Sequence, residues 1–166
     1  MNNSNKTQSL QTMYRPCVGI VLFNEDRKVF VGERIDMPGA LQMPQGGIDP
    51  GETITQAAMR EMLEETGTDK AQILEIAPHT IRYDLPSVLL ENDKIGWNKQ
   101  YRGQEQTWVA MRFTGQDTDI DLNHFSPPEF SQWHWLAFEE TINRIVSFKR
   151  NVYIQVFKMF KHLTKS

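Results

Sequence analysis

Glu52, Glu61, Glu64 and Glu65 share one short stretch with Arg60, from Gly46 to Gly67: GGIDPGETITQAAMREMLEETG. Carboxylates at this density suit two kinds of chemistry, holding a hard cation and taking a proton from water. The spacing 61, 64, 65 is helical. With about 100° of rotation per residue, the three side chains fall in one arc roughly 100° wide, with the small side chain of Ala57 in its middle. Ala58, Met59, Met62 and Leu63 lie on a different side and predict a core-facing surface. Like charges at this spacing cost a helix about a few tenths of a kcal/mol per pair. Such a face is either merely solvated or organised around a cation. The adjoining PQGGIDPGE favours the cation, because its glycines open backbone conformations closed to other residues and predict an irregular loop. Mg²⁺ takes oxygen ligands and keeps some waters that phosphate oxygens can replace.

The element that must position these groups carries its own boundaries. Thr53 followed three residues later by Gln56 reads as a capping box, and Gly67 stands where a helix ends in a left-handed turn. Gly46, Glu52, Arg60-Glu61, Glu64-Glu65 and Gly67, at these fixed intervals, resemble the Nudix box. One position departs, since the family carries an aliphatic residue where this chain has Thr68, which touches packing rather than chemistry. The resemblance implies an α/β fold, the Nudix α/β/α sandwich with a mixed β-sheet. It also implies Mg²⁺, with Mn²⁺ or another divalent cation as substitute, held by Glu61, Glu64 and Glu65. One glutamate of the helix or of a later loop serves as general base in that family, and Glu65 is the preferred candidate. Glu52 and Arg60 are expected to pair and fix the loop against the helix without touching substrate.

At 166 residues the chain fits one domain with a sizeable core, expected over 14–166, behind a disordered polar tail at 1–13. A net charge of −3 predicts no broad basic surface and so no long nucleic-acid duplex as partner. Cys17 is the only cysteine. It sits in the apolar run CVGIVLF, which predicts a core residue, no internal disulfide and a cytoplasmic setting. There is no apolar run of membrane-spanning length and no secretory leader pattern, so no membrane partner is expected.

Strands are expected at CVGIVLFN, at Lys28–Ile35 as its hairpin partner, at Leu41–Met43, Ala71–Ile76, His79–Leu85, Tyr101–Phe113 and Phe130–Leu136. Pro86–Asn98 reads as a surface excursion. One long helix is expected from Phe138 to about Leu163, packing through Ile142, Ile145, Val146, Val152, Val156, Phe157 and Phe160.

Segments spread from Tyr14 to Val156, among them YRPCVGIVLFN, MPQGGIDPGE, YDLP, YRGQEQTW, PPEFSQWHWL and VSFKRNVY, resemble the bacterial RNA pyrophosphohydrolase and dinucleoside-polyphosphate hydrolase subfamily. The resemblance adds Glu129 as a further metal ligand and catalytic carboxylate. It assigns Arg15, Arg34, Arg102 and Phe148 to substrate, with Lys99 beside Arg102 at the mouth of the site. For Arg34 a surface strand residue, and for Phe148 a core residue, are the alternatives. Lys149 and Arg150 either meet phosphates or solvate the last helix, and Gln104 and Tyr83 are weaker candidates. Trp97, Trp108, Trp133 and Trp135 read as structural. Leu41 stands where many relatives carry Trp, which predicts weaker stacking if it lines the nucleotide pocket.

The resemblance thus implies hydrolysis of a phosphoanhydride. The leading substrate is the 5′-triphosphate end of RNA, losing pyrophosphate and so opening the transcript to decay. Dinucleoside polyphosphates, diadenosine tetra- or pentaphosphate yielding ATP, are the alternative, and a non-catalytic binding module is the third reading.

Overall fold

Alternation along one strand sets the architecture. In β1 (Tyr14–Phe23) Val18, Ile20 and Leu22 bury against one cluster, and Val21 and Phe23 bury against another. A strand buried on both faces belongs inside a covered sheet. The computed structural model, which describes residues 13–86, 101–125 and 127–165, has β1 at the centre. It runs parallel to β7 (Gly103–Phe113), in register from Tyr14 opposite Gly103 to Phe23 opposite Arg112. With β2 (Val29–Arg34), β3 (Leu41–Gln42) and β5 (Ala71–Ile76) the order is β3-β2-β1-β7-β5. β4 (Gln45–Gly47) joins β1, β6 (Ile81–Asp84) joins β7 and β8 (Phe130–Leu136) joins β2. The β1–β7 pair is parallel and the other pairs are antiparallel, so the sheet is mixed, as expected.

Helix α1 (Ile54–Thr66) covers one face, packing Ala57, Ala58 and Met62 with Val18, Ile20, Val109 and Met111. Met59 and Leu63, expected in the core, are only half-buried. On the other face, α2 (Phe138–Arg144) and α3 (Arg150–Phe160) pack Phe138, Val152, Tyr153, Val156 and Phe160 over Val21, Val31, Trp108 and Ala110. Each large apolar side chain so buried contributes about 1.5–3 kcal/mol, which holds both layers on the sheet.

Three expectations need correction. β1 and β2 meet only at Phe23–Val29. Beyond that turn they diverge, and β4 takes the freed edge of β1 with Cys17 opposite Gly47 and Gly19 opposite Gln45. The start of the glycine loop is therefore a strand, held by pairing that the local sequence does not reveal. The long final helix is broken. Ile145 and Val146 are extended (ψ 154° and 141°), and Ile145 bridges to Leu41. Two β-branched residues before a serine hold a helix weakly, and burying Ile145 beside Leu41 replaces what continuing it would gain. A 3-10 turn at Ser147–Lys149 then leads into α3. Apart from Met13 and Pro86, the expected tail and the Pro86–Asn98 excursion lie outside the described residues, as do Lys99 and Trp97.

Candidate active site

The loop and α1 are strapped together before any ligand is considered. Gln56 N–H donates to the Thr53 hydroxyl at 3.1 Å and Thr53 N–H to the Gln56 side chain at 3.0 Å, completing the capping box. Gly67 closes the helix at φ 77°, a conformation that suits glycine. Arg60 grips Glu52 through Nε at 2.7 Å and Nη2 at 2.8 Å, and Nη2 also donates to the Gly47 carbonyl at 2.8 Å. This fork, with the Asp49 N–H at 2.9 Å, holds the Glu52 carboxyl down at about 2. The expected pair thus exists and ties loop to helix.

The remaining carboxylates do not share one environment. Glu64 is exposed, whereas Glu61 and Glu65 are 8% and 6% exposed. Burial pushes the Glu61 carboxyl up to about 7 against the hydrogen bond from Arg60, and the charge of Glu64 adds to the rise. Burial also pushes Glu65 well above the ordinary carboxylate range, reinforced by Glu61 and Glu129 and opposed by the Gln45 N–H at 3.1 Å. Gly46 lies against the Glu61 carboxyl so closely that any Cβ there would overlap it. Arg60 Nη1 meets Glu61 at 2.9 Å and Glu64 at 3.3 Å. With these carboxylates engaged by Arg60 and by Gln45, no three His, Cys, Asp or Glu groups among the described residues converge closely enough to hold a metal ion as they stand. Glu129 is exposed at the start of β8, within electrostatic reach of Glu65 and Arg34.

Cations face this acidic pair from other elements. Arg15 lies over Gly47, where a Cβ would collide with its guanidinium, and its charge reaches Glu61. Arg34 is not a free surface strand residue: it is half-buried, forks onto Asp36 at 2.8 and 2.5 Å, and reaches Gln42 at 3.4 Å. Lys149 is 4% exposed, so it does not solvate the helix, and its Nζ donates to Gln42 Oε1 at 2.6 Å. Burial lowers its ammonium to about 7, Arg34 adds to the drop, and Glu65 and Asp36 oppose it. Phe148 is half-buried, belongs to neither apolar cluster, and its ring centroid is 5.9 Å from Lys149 Nζ. Arg150 is exposed and turns to Asn143 at 3.3 Å. Arg102 stands apart from the cluster. It pairs with Asp84 at 2.5 Å beside the Tyr14 ring, and Tyr14 O–H donates to the same carboxylate at 2.7 Å. Cys17 is buried and its thiol is pushed up to about 11, chiefly by burial, as befits a core residue.

Gln42, Gln45 and Gln106 escaped the sequence reading. Gln106 and Gln104 were within reach of it, because alternation in GQEQTW puts both on the face of Trp108. No local signal marks the other two.

The NUDIX domain pattern matches residues 13–156. This chain belongs to the Nudix family. Among its Nudix relatives, the RNA pyrophosphohydrolase of Erythrobacter litoralis is 51% identical over 154 residues, 90% of this chain and 92% of that one. The RNA pyrophosphohydrolase of Rickettsia peacockii is 49% identical over 164 residues, 98% and 99% of the two chains. The Nudix fold also recurs in solved structures of low identity. An E. coli dihydroneopterin triphosphate pyrophosphohydrolase superposes with TM-score 0.65 at 23% identity, covering 87% of this chain and 97% of that one. A C. elegans Ap4A hydrolase gives 0.64 at 20%, covering 89% and 98%. Among the described residues, no helix of this Nudix chain is long and apolar enough to cross a membrane.

Proposed function

We propose that this Nudix enzyme removes pyrophosphate from the 5′-triphosphate end of RNA, leaving a 5′-monophosphate and so starting decay of the transcript. The observation that carries the reading is the pairing of two buried carboxylates, Glu61 and Glu65, with cations from other elements: Arg15 reaches Glu61, Lys149 reaches Glu65, and Arg34 stands by Lys149 and Glu129. Hydrolysis of a phosphoanhydride needs both, one side to activate water and the other to bind phosphate oxygens. Two relatives of 49–51% identity named RNA pyrophosphohydrolase support the choice of substrate.

The donor set fits a divalent cation. It is made of oxygens alone, and burial raises the energy of the Glu61 and Glu65 charges, with Glu64 adding to the rise at Glu61 and Glu61 and Glu129 adding to it at Glu65. Glu61, Glu64, Glu65 and Glu129 would hold Mg²⁺, or Mn²⁺ in its place. When bound, it supplies charge neutralisation at the phosphate oxygens and polarises water. Glu65, a carboxyl whose proton affinity burial has raised, takes the proton of the attacking water. Arg15, Arg34 and Lys149 bind and orient the triphosphate, and Phe148 offers a ring face to the first base. Arg102, engaged by Asp84, is assigned to the outer rim, where a following nucleotide would pass. A single domain over 14–166 and a cytoplasmic setting belong to the same proposal, supported by the free, buried Cys17.

Diadenosine pentaphosphate presents the same nucleoside-on-polyphosphate chemistry and is the competing substrate. Purified protein with Mg²⁺ is given a short 5′-triphosphorylated RNA and diadenosine pentaphosphate together, and products are resolved by chromatography. A larger kcat/KM for RNA, with pyrophosphate released, is the expected result. A larger value for the dinucleotide would overturn the RNA assignment, and no hydrolysis of either would point to a binding module.

A further inference from the structure

Met43, Pro44 and Gln45, which join β3 to β4, are gripped from three elements at once. The Tyr153 hydroxyl of α3 accepts from the Met43 N–H at 2.7 Å. The Pro44 carbonyl accepts from the Ile20 N–H of β1 at 2.9 Å. The Gln45 N–H donates to Glu65 Oε2 of α1 at 3.1 Å. That carbonyl and that N–H belong to one peptide unit, and in a trans peptide the two point in opposite directions. The unit is thus pinned by the central strand on one side and holds Glu65 on the other. Pro44 has no N–H to anchor it, so the next donor back along the chain is that of Met43, and Tyr153 takes it. The Gln45 side chain is tied as well, to Gln106 at 3.3 Å and to the Tyr83 hydroxyl. Tyr153 reaches this segment from the sheet face opposite α1. Its ring packs edge-on to Trp108 at 5.7 Å, and Tyr153 and Met43 are 1% and 0% exposed, so bulk water does not compete for their bond.

We propose that Tyr153 is a positioning residue for Glu65: by fixing Met43 it aims the Gln45 N–H at Glu65 Oε2 and so holds the carboxylate in a single orientation. The proposal rests on the reading of Glu65 as the base and adds what orients it. A base serves only when its oxygen meets the proton it must take, and a misplacement of about 1 Å can cost up to about a hundredfold in rate. Backbone groups supply the other two grips on the segment, at Ile20 and at Gln45 itself. Tyr153 is the side chain that completes them, from a position that no substrate touches.

Tyr153→Phe removes one oxygen and keeps the ring. With Mg²⁺ and a 5′-triphosphorylated RNA, kcat is expected to fall about tenfold while KM stays within about twofold. A cycle with Glu65→Gln separates orienting the base from general packing. In the Glu65→Gln background the Tyr153→Phe change should lower kcat by less than about twofold. A further tenfold fall there would overturn the proposal, because Tyr153 would then act without Glu65. Backbone amide NMR of the metal-free full chain reads the same linkage without turnover. Glu65→Gln should move the Gln45 signal, and Tyr153→Phe should move those of Met43 and Gln45 together. A shift confined to Met43 would overturn the proposal whatever the activity. Should Tyr153→Phe not fold, hydrogen exchange in the parent protein decides: Met43 and Gln45 are expected to be protected alike, and free exchange at Gln45 beside a protected Met43 would overturn the proposal. Parental turnover in Glu65→Gln, with the amide shifts as expected, would remove Glu65 as base and leave Tyr153 as the residue that holds it.

Discussion

The two sides of the site are built in opposite ways. The acidic side comes from one continuous stretch, with Glu52, Arg60, Glu61 and Glu64 joined by contacts between residues at most eight apart. The cationic side is assembled from distant ones: Lys149 meets Gln42 across 107 positions, and Gln106 meets Gln45 across 61. The acidic side owes its geometry to local turns and caps, and the cationic side owes its geometry to the fold. The first should therefore survive damage to packing better than the second, and the two should separate kinetically into chemistry and binding.

The largest expected effect breaks the acidic side alone. Glu65→Gln should lower kcat by about 10²–10⁴-fold while leaving the circular-dichroism spectrum unchanged. Near-parental turnover would remove Glu65 from the role of base. Next, Lys149→Met should raise KM by about tenfold or more, the scale of a lost hydrogen bond to a charged group, with kcat little altered. The same change should not destabilise the protein, because it removes a cation whose burial is unfavourable. The sign follows from the lowered ammonium: its folded value of about 7 lies below the unfolded one. The unfolded chain thus binds more protons between those two values, and stability climbs as pH rises through that window. Melting curves from pH 6 to 10 should show this climb in the parent and a flatter profile in the variant.

Arg60→Ala comes third. It strips a partly buried guanidinium from Glu52, Glu61 and the Gly47 carbonyl at once, and denaturant unfolding should show a loss of about 2 kcal/mol. A neutral result would mean that the loop is held by β4 pairing alone. The smallest effect is expected at Phe148→Ala. A half-buried ring outside both clusters should leave the melting temperature in place, while substrate affinity falls by about 1 kcal/mol or somewhat more, as for a lost base stack. A fall in stability without one in affinity would return Phe148 to a structural role.

The same local-versus-distant division decided what the sequence could reveal. Thr53, Gln56 and Gly67 fixed α1 at both ends because caps are local, and the apolar run CVGIVLF marked β1 as a strand. The break at Ile145 was hidden, since the reason for it is Leu41, 104 positions away in sequence but bridged to it in space. That break is also what buries Lys149, which on an unbroken amphipathic helix reads as a solvated cation. Gln42 and Gln45 carry no signal of their own, because a glutamine's role depends on which neighbour orients its amide. Arg102 shows the same limit from another side: its motif suggests a substrate contact, and the fold adds a partner, Asp84, that the motif does not reveal.

The separation of chemistry from binding is tested most directly by one equilibrium constant, the affinity of the Glu65→Gln variant for a 5′-triphosphorylated RNA in the presence of Mg²⁺. Binding within about threefold of that shown by the parent protein toward an RNA with a methylene-bridged, uncleavable triphosphate is the expected result. Loss of binding in that variant would contradict it, and would mean that the acidic and cationic sides act as one unit in holding substrate.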